Sequence, residues 1–309
     1  MLPMRFKEWG AFWLLGAIWG SSFLWIKIAV ADIGPVTLVA FRLLFGLIGL
    51  LGVMRLQAQP LPRSRALLPA FLFMGLFNAT LPISLISWGE TRIDSGLASI
   101  LNGTMPLFAI VIAHYWLMDE KITAPRVLGL VLGFAGVVVL VSGDLNPGAL
   151  GGSLLGQLAV LAASASYATA AIFSRRYLRN QPPVVQGTMV LLTADAFAWL
   201  GVMGLERPLR LPALSITWIA IAWLGLLGSC VAYLLYFYLI NVWGPTRTSV
   251  VTYVFPIIGL LLGIVFLNER PGWRLFAGTA LIVAGILMIN VLGGTLAVRR
   301  KPAELPQEP

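Results

Sequence analysis

Three stretches of this chain, Gly96 to Met118, Leu145 to Ser174 and Leu211 to Thr246, contain no Asp, Glu, Lys or Arg. Each is longer than the roughly 20 residues with which an α-helix crosses the hydrocarbon of a bilayer. Overall 59% of residues are apolar and 11% charged, against about 25% charged in a soluble domain. A water-soluble globule is excluded. The alternating segments of about 10 residues that a membrane barrel needs are nowhere dominant. The fold class expected is therefore an all-α polytopic membrane protein.

An internal repeat narrows the architecture further. From Leu97 to Gly136 the chain runs through an apolar helix interrupted by Pro106, a polar turn Asp119-Glu120-Lys121-Ile122-Thr123, and a second apolar helix with Gly129, Gly133 and Gly136. From Val250 to Gly285 the order returns, with Pro256, the turn Asn268-Glu269-Arg270-Pro271, Gly278 and Gly285. Glu120, Gly129 and Gly136 are spaced 9 and 7 apart, as are Glu269, Gly278 and Gly285.

Hydropathy predicts helices at about Gly10–Ala31, Pro35–Arg55, Ala66–Trp88, Ser95–Met118, Arg126–Ser142, Ser153–Phe173, Val184–Leu205, Ile216–Ile240, Pro245–Leu267 and Trp273–Leu292. The glycine-rich linker Asp144 to Gly152 divides them, giving repeats over 1–145 and 146–293 and a basic cytoplasmic tail over 294–309. The expectation is ten transmembrane helices as two five-helix repeats. Five is odd, so the second repeat enters the membrane inverted.

Charge orients the bundle. Of 21 Lys and Arg, five fall in one set of loops (Arg92, Arg207, Arg210, Arg270, Arg274), two lie within helices (Lys27, Arg42), and the other 14 fall in the opposite loops and the two ends. By the positive-inside rule both termini are cytoplasmic. Glu120 then faces the cytoplasm and Glu269 the outside. The net charge of +9 is spread over short loops instead of striping one face, so no nucleic-acid partner is expected. Arg5 and Lys7 ahead of an apolar run, with Ala29-Val30-Ala31 after it, mimic a cleavable signal, but the segment is long and the repeat requires it as a helix. Cys230 is the lone cysteine, which leaves no intrachain disulfide and no thiolate metal cluster.

Inverted repeats are a construction principle of secondary transporters, with the solute site near the midplane where the repeats meet. Pro106 and Pro256 each stand about halfway along a helix and mark candidate breaks. Pro82 has no mate in helix 8 and reads as an ordinary membrane-helix proline. The pairs Gly16/Gly20, Gly129/Gly133 and Gly259/Gly263 read as helix-packing positions. Asp195, near the centre of helix 7, is either a proton or cation site or a hydrogen-bonded structural acid. Lys27 reads as snorkelling to the headgroups, and His114 as structural. Arg42, close enough to snorkel, is equally open to function.

Trp19, Asn78, Asn102, Tyr167, Tyr236 and Tyr253 are the candidates to line a cavity for an amphipathic or aromatic solute. No cofactor is expected, and no metal site, because there is no second histidine. Neither a phosphate-cradling glycine loop nor a Gly-x-Ser-x-Gly elbow is present, and no spacing supports an enzyme.

Trp19-Gly20-Ser21-Ser22-Phe23, Phe41-Arg42, Pro106 leading to Glu120-Lys121-Ile122-Thr123, and Pro256 leading to Leu267-Asn268-Glu269-Arg270 together resemble the ten-helix EamA-type exporters of the drug/metabolite transporter superfamily. The resemblance spans about Phe12 to Asn290. It implies a bacterial inner-membrane exporter of small metabolites, such as amino acids, working by alternating access without nucleotide hydrolysis. The lipid bilayer and a small-molecule substrate are the implied partners; proton coupling and oligomeric state are left open. Pro106 to Glu120 spans 14 residues and Pro256 to Glu269 only 13, so the two glutamates are expected in different surroundings. A flippase for lipid-linked substrates is the alternative, and an intramembrane enzyme built around His114 a more distant one.

Overall fold

The computed structural model describes residues 6–60, 65–117, 122–142, 152–178, 181–243 and 248–299. Ten helices follow one another through the described residues, and no strand occurs among them. They are α1 Phe6–Ala29, α2 Pro35–Leu56, α3 Leu68–Glu90, α4 Ser95–Trp116, α5 Ala124–Val141, α6 Gly152–Tyr177, α7 Pro183–Leu205, α8 over 215–243, α9 over 249–267 and α10 Trp273–Arg299. Nine are long and apolar enough to cross a membrane, and α10 carries a shorter apolar stretch, Trp273–Ile289. This is a ten-helix all-α membrane protein. Proline opens α2, α5 and α7, where the missing N–H would have had no intrahelical partner. The last helix runs to Arg299, so its turns continue into the segment expected to be a tail. The turn holding Glu120 and the linker at 143–151 lie outside the described residues.

The helix pairings repeat with the sequence. α2 packs on α7, α4 on α9 and α5 on α10, each helix against its own counterpart five places on. The remaining principal contacts come in matched pairs: α1 on α9 with α6 on α4, α2 on α8 with α7 on α3, and α3 on α6 with α8 on α1. Such a list maps onto itself when the halves are exchanged, as a twofold relation between them requires.

The glycine spacing of the repeat is explained by α5 and α10. A Cβ added at Gly129 would stand 2.6 Å from the carbonyl oxygen of Gly285, and one at Gly136 2.6 Å from that of Gly278. The reverse substitutions meet the same backbones, Gly285 against Gly129 and Gly278 against Gly136. Two antiparallel helices thus touch main chain to main chain at two levels, and only glycine permits that approach. Gly16 and Gly20 of α1 instead make room for the side chains of Val254 and Ile258 of α9.

Gly136→Leu should therefore lower stability by about 1–3 kcal/mol through overpacking. Gly204→Ala, where a Cβ meets nothing within 4 Å, should be neutral or slightly stabilising. Thermal denaturation of the detergent-purified protein separates the two outcomes.

Candidate functional site

Pro106 and Pro256 each lie beside irregular backbone, and the two irregular points touch. α4 stops at Asn102, passes through Gly103 and Thr104, and restarts at Met105 with Pro106 in its first turn. α9 begins as a 3-10 turn, Ser249–Tyr253, and becomes α-helical at Val254, two residues before Pro256. A Cβ on Gly103 would lie 3.3 Å from the Pro256 ring, so the irregular points of the two halves lie against each other. The Leu101 carbonyl at the irregular point of α4 finds donors: Thr104 Oγ1 at 2.6 Å and Ser164 Oγ of α6 at 3.1 Å.

A second pair of irregularities went unread in the sequence. α3 widens into a π-helix over Leu76–Thr80 and α8 over Trp223–Val231. In each, a hydroxyl bonds the carbonyl five residues back, Thr80 Oγ1 to Gly75 O at 3.2 Å and Ser229 Oγ to Leu224 O at 3.1 Å. Thr80 and Ser229 are 149 residues apart, the same offset as Glu120 and Glu269. Pro82 follows directly on the first π segment, so it marks a break that helix 8 makes without proline, and the reading of it as unremarkable membrane proline is corrected.

Around these irregular segments the halves meet in an aromatic seam. Trp19 Nε1 donates to Gly228 O in the π segment at 3.0 Å, and its ring lies 5.5 Å from Tyr236 and edge-on to Phe255 at 5.7 Å. Asn78 Nδ2 donates to the Tyr233 hydroxyl at 3.2 Å. Tyr167 and Tyr233 both lie within electrostatic reach of the guanidinium of Arg42. Asn102 sits at the α4 break, its backbone carbonyl beside Ser164 and its side-chain Oδ1 buried without a partner. Tyr253 packs against the same core cluster as Trp19, Tyr167 and Tyr236. The structure thus gathers Trp19, Asn78, Tyr167 and Tyr236 around one seam, with Asn102 and Tyr253 at the neighbouring breaks. Asp195 stands apart, buried on α7 beside Trp199, with Oδ1 unpartnered.

Two cations depart from the snorkelling expectation. Lys27 Nζ turns inward to donate to the carbonyls of Glu90 at 2.6 Å and Ile93 at 2.8 Å, a favourable place for a cation at the end of α3. Arg42 is 8% exposed, and among the described residues its side chain has one hydrogen bond, a long one, Nε to Ser229 Oγ at 3.4 Å. Glu90 was missed as a site residue, whereas Tyr233 was among the aromatic residues that the sequence offers for a cavity lining. Glu90 falls two residues past the helix end that hydropathy suggested. His114 accepts the Ile122 N–H at its Nδ1.

On the face that carries the 30–34, 91–94, 206–214 and 268–272 turns, carboxylates tie the halves together. Glu206 at the end of α7 accepts the N–H groups of Val36 and Thr37 at the start of α2, each at 2.8 Å. Asp32 after α1 accepts from Ala213 N, Leu214 N and Thr217 Oγ1 at the start of α8. Glu269 accepts from Ser95 N at 2.7 Å and Gly96 N at 3.0 Å at the start of α4. Asn268, left-handed at φ 54°, turns the chain for this, with Glu269 N bonding back to Gly263 O. An anion at a helix N-terminus answers free N–H groups and the helix dipole together. A hollow of about 610 Å³ beside this face, lined by Trp199, Val202, Met203, Glu206, Arg207, Pro208 and Leu209, shares none of the seam residues.

The fold is that of a polytopic membrane protein whose irregular helix segments meet at an inner seam. The sequence profile of the EamA-like transporter family matches residues 8–142 and again 154–291. The chain belongs to the EamA-like transporter family. It is 28% identical to the inner membrane transporter YedA of Escherichia coli over 98% of this chain and 97% of that one. It is 26% identical to the transporter YoaV of Bacillus subtilis over 88% of this chain and 92% of that one. A solved crystal structure, 20% identical, superposes with a TM-score of 0.66 over 95% of this chain and 99% of its own, and so shares the fold. The protein is a transporter and not an enzyme.

The clasps carry opposite pH signatures. Hydrogen bonds from Thr217 and Leu214 hold Asp32 below its ordinary value of 3.8. Desolvation and the neighbouring Glu269 charge push Asp94 above it. Asp32 therefore contributes stability that is present above 3.8 and lost as pH falls through its lowered value. Asp94, favoured in its protonated form, loses its contribution as pH rises through its raised value. At neutral pH Asp32→Asn should melt below the wild type and Asp94→Asn at or above it, and both differences should shrink on acidification.

Proposed function

We propose that this chain exports a small amphipathic metabolite carrying a carboxylate, an amino acid with an apolar or aromatic side chain in the first instance, by alternating access at the seam. The observation that carries this reading is Arg42. A guanidinium offers five N–H donors, yet here it is buried, and among the described residues its side chain has a long bond to Ser229, with Tyr167 and Tyr233 within electrostatic reach. A buried cation without a close anion is costly, and a planar carboxylate is the group its fork fits best. Trp19, Tyr167, Tyr233 and Tyr236 would take the apolar part, and the unpartnered Oδ1 of Asn102 could accept from an ammonium group.

Pro106 and Pro256 would sit at the moving breaks. Two touching irregular points can shift with little loss of helix bonding, because hydroxyls already serve the Leu101 carbonyl. The excess of basic residues in the other loops supports cytoplasmic termini, which makes the carboxylate-clasped face the outer one. A bacterial inner membrane is supported by the name of YedA. Asp195 is one candidate for energy coupling, and Asp195→Asn that left the pH dependence of transport unchanged would remove it. The flippase alternative requires a lateral opening to lipid, and no described feature favours it.

Cells with and without the protein, given a panel of amino acids, their decarboxylated amines and toxic analogues, test the reading. Export should favour carboxylates over the matching amines. Arg42→Gln should reduce it about 10- to 100-fold, the equivalent of about 1.5–3 kcal/mol for a lost charged hydrogen bond. Amines exported as well as acids, or export undiminished in Arg42→Gln, would refute it.

A further inference from the structure

Glu90 is the final residue of α3 and is 0% exposed, and neither of its carboxyl oxygens has a hydrogen-bond partner. Ser87, one turn earlier on the same helix face, is also fully buried with its hydroxyl unpartnered. The charges acting on Glu90 come from three elements: Lys27 of α1, Arg42 of α2 and Glu269 after α9. Lys27 is spent on the main-chain carbonyls of Glu90 and Ile93, and among the described residues the one hydrogen bond of the Arg42 side chain goes to Ser229. On α6, Gly156 and Val160 meet Gly89, both uncharged. α7 meets α3 at Gly75, about four turns away, and α4 has no acid or base from Ser95 to Trp116 apart from His114 near its far end. A carboxylate stripped of water and of every donor is expensive, and the protonated acid is the form such a place accepts.

Geometry links this site to the clasp. The short turn 91–94 joins Glu90 to Ser95 and Gly96, whose N–H groups Glu269 holds. Releasing Glu269 frees that turn and brings water to the end of α3. We propose that Glu90 is a proton-binding site of the clasped face: it holds a proton while that face is closed and gives it up when the face opens. The step is a proton transfer alone. Water on the clasped side supplies the proton to a Glu90 oxygen as the face closes and takes it back on opening, and no other bond changes. This inference rests on the transport reading and names a group through which an external proton could bias it.

Because the closed state binds the proton, raising the pH favours opening. The full-length detergent-purified protein carrying Ser87→Cys in a Cys230→Ala background would be treated with N-ethylmaleimide from pH 6 to 8, with glutathione alongside as the free-thiol reference. Modification should rise with pH more steeply than that of glutathione, and adding Glu90→Gln should reduce the slope to that of glutathione. An identical slope with and without Glu90 overturns the proposal. A second measurement needs no variant. The infrared spectrum of the wild type at pH 7 should contain a protonated-carboxyl band that shifts when glutamate is labelled with carbon-13 and stays when aspartate is. No such band, or one that moves only with aspartate, overturns the proposal, the latter assigning the proton to Asp195 or another aspartate. Neither readout uses a transported solute, so either can fail while the export panel succeeds, and the reverse.

Discussion

A main-chain amide or carbonyl at membrane depth has no water to bond, and every departure from regular helix must be answered by the protein itself. In this molecule the answers come largely from side chains of the opposite half. Thr80 donates to Ala194 O as well as within its own helix, Thr193 to Phe71 O, Ser166 to Phe77 O and Ser164 to the α4 break. Trp19 serves Gly228 in the π segment of α8. On the clasped face Glu206, Asp32 and Glu269 each cap a helix of the other half. The breaks that make a transporter possible are thus the same places where the halves hold on to each other. Rearranging the halves means exchanging these bonds, which favours discrete states over continuous deformation.

How much of this could be read from residues alone follows from what hydropathy records. Ten apolar segments, the offset of 149 between Glu120 and Glu269, and the two mid-helix prolines are one-dimensional facts, and the observed helices and both breaks follow them. The matched glycines are legible as packing positions, although only the antiparallel contact of α5 and α10 explains why the spacing 9 and 7 had to occur twice. The π segments were not legible. Their signature is a hydroxyl five residues after the carbonyl it bonds, and Thr80 and Ser229 look like any other small polar residue in an apolar helix.

Depth is the other quantity that a sequence hides. Lys27 lies near the end of α1, where snorkelling is the default, but the nearby end of α3 offers two carbonyls at a shorter reach than the headgroups. Arg42 lies only seven residues after the first residue of α2, yet its helix faces the seam there, and the long side chain follows the face instead of the nearest interface. Glu90 was hidden because hydropathy ended the third helix at Trp88, whereas the cation from α1 on the carbonyl of Glu90 accompanies two further residues of helix. Position along a span predicts which groups could reach water; packing decides which do.

The duplicated frame and the polar groups set into it obey different symmetries. Moving 149 residues on from Asn78, Arg42 and Glu90 leads to Leu227, Leu191 and Leu239. The aromatic lining is weighted the other way, with Tyr233, Tyr236 and Phe255 all in the second half. A twofold scaffold gives two access states of similar packing energy, but a perfectly symmetric lining would make the two openings chemically alike and give transport no preferred direction of control. Here Arg42 and Glu90 are buried in the first repeat toward the clasped face, and the buried acid of the second repeat, Asp195, stands apart from the seam. On the transport reading proposed above, an ion or solute carboxylate acting on Arg42 or Glu90 would stabilise one opening over the other, because the matching positions of the second repeat are leucines. On that reading the repeated frame would supply the two states, and its violation at three leucine-paired positions the means to choose between them.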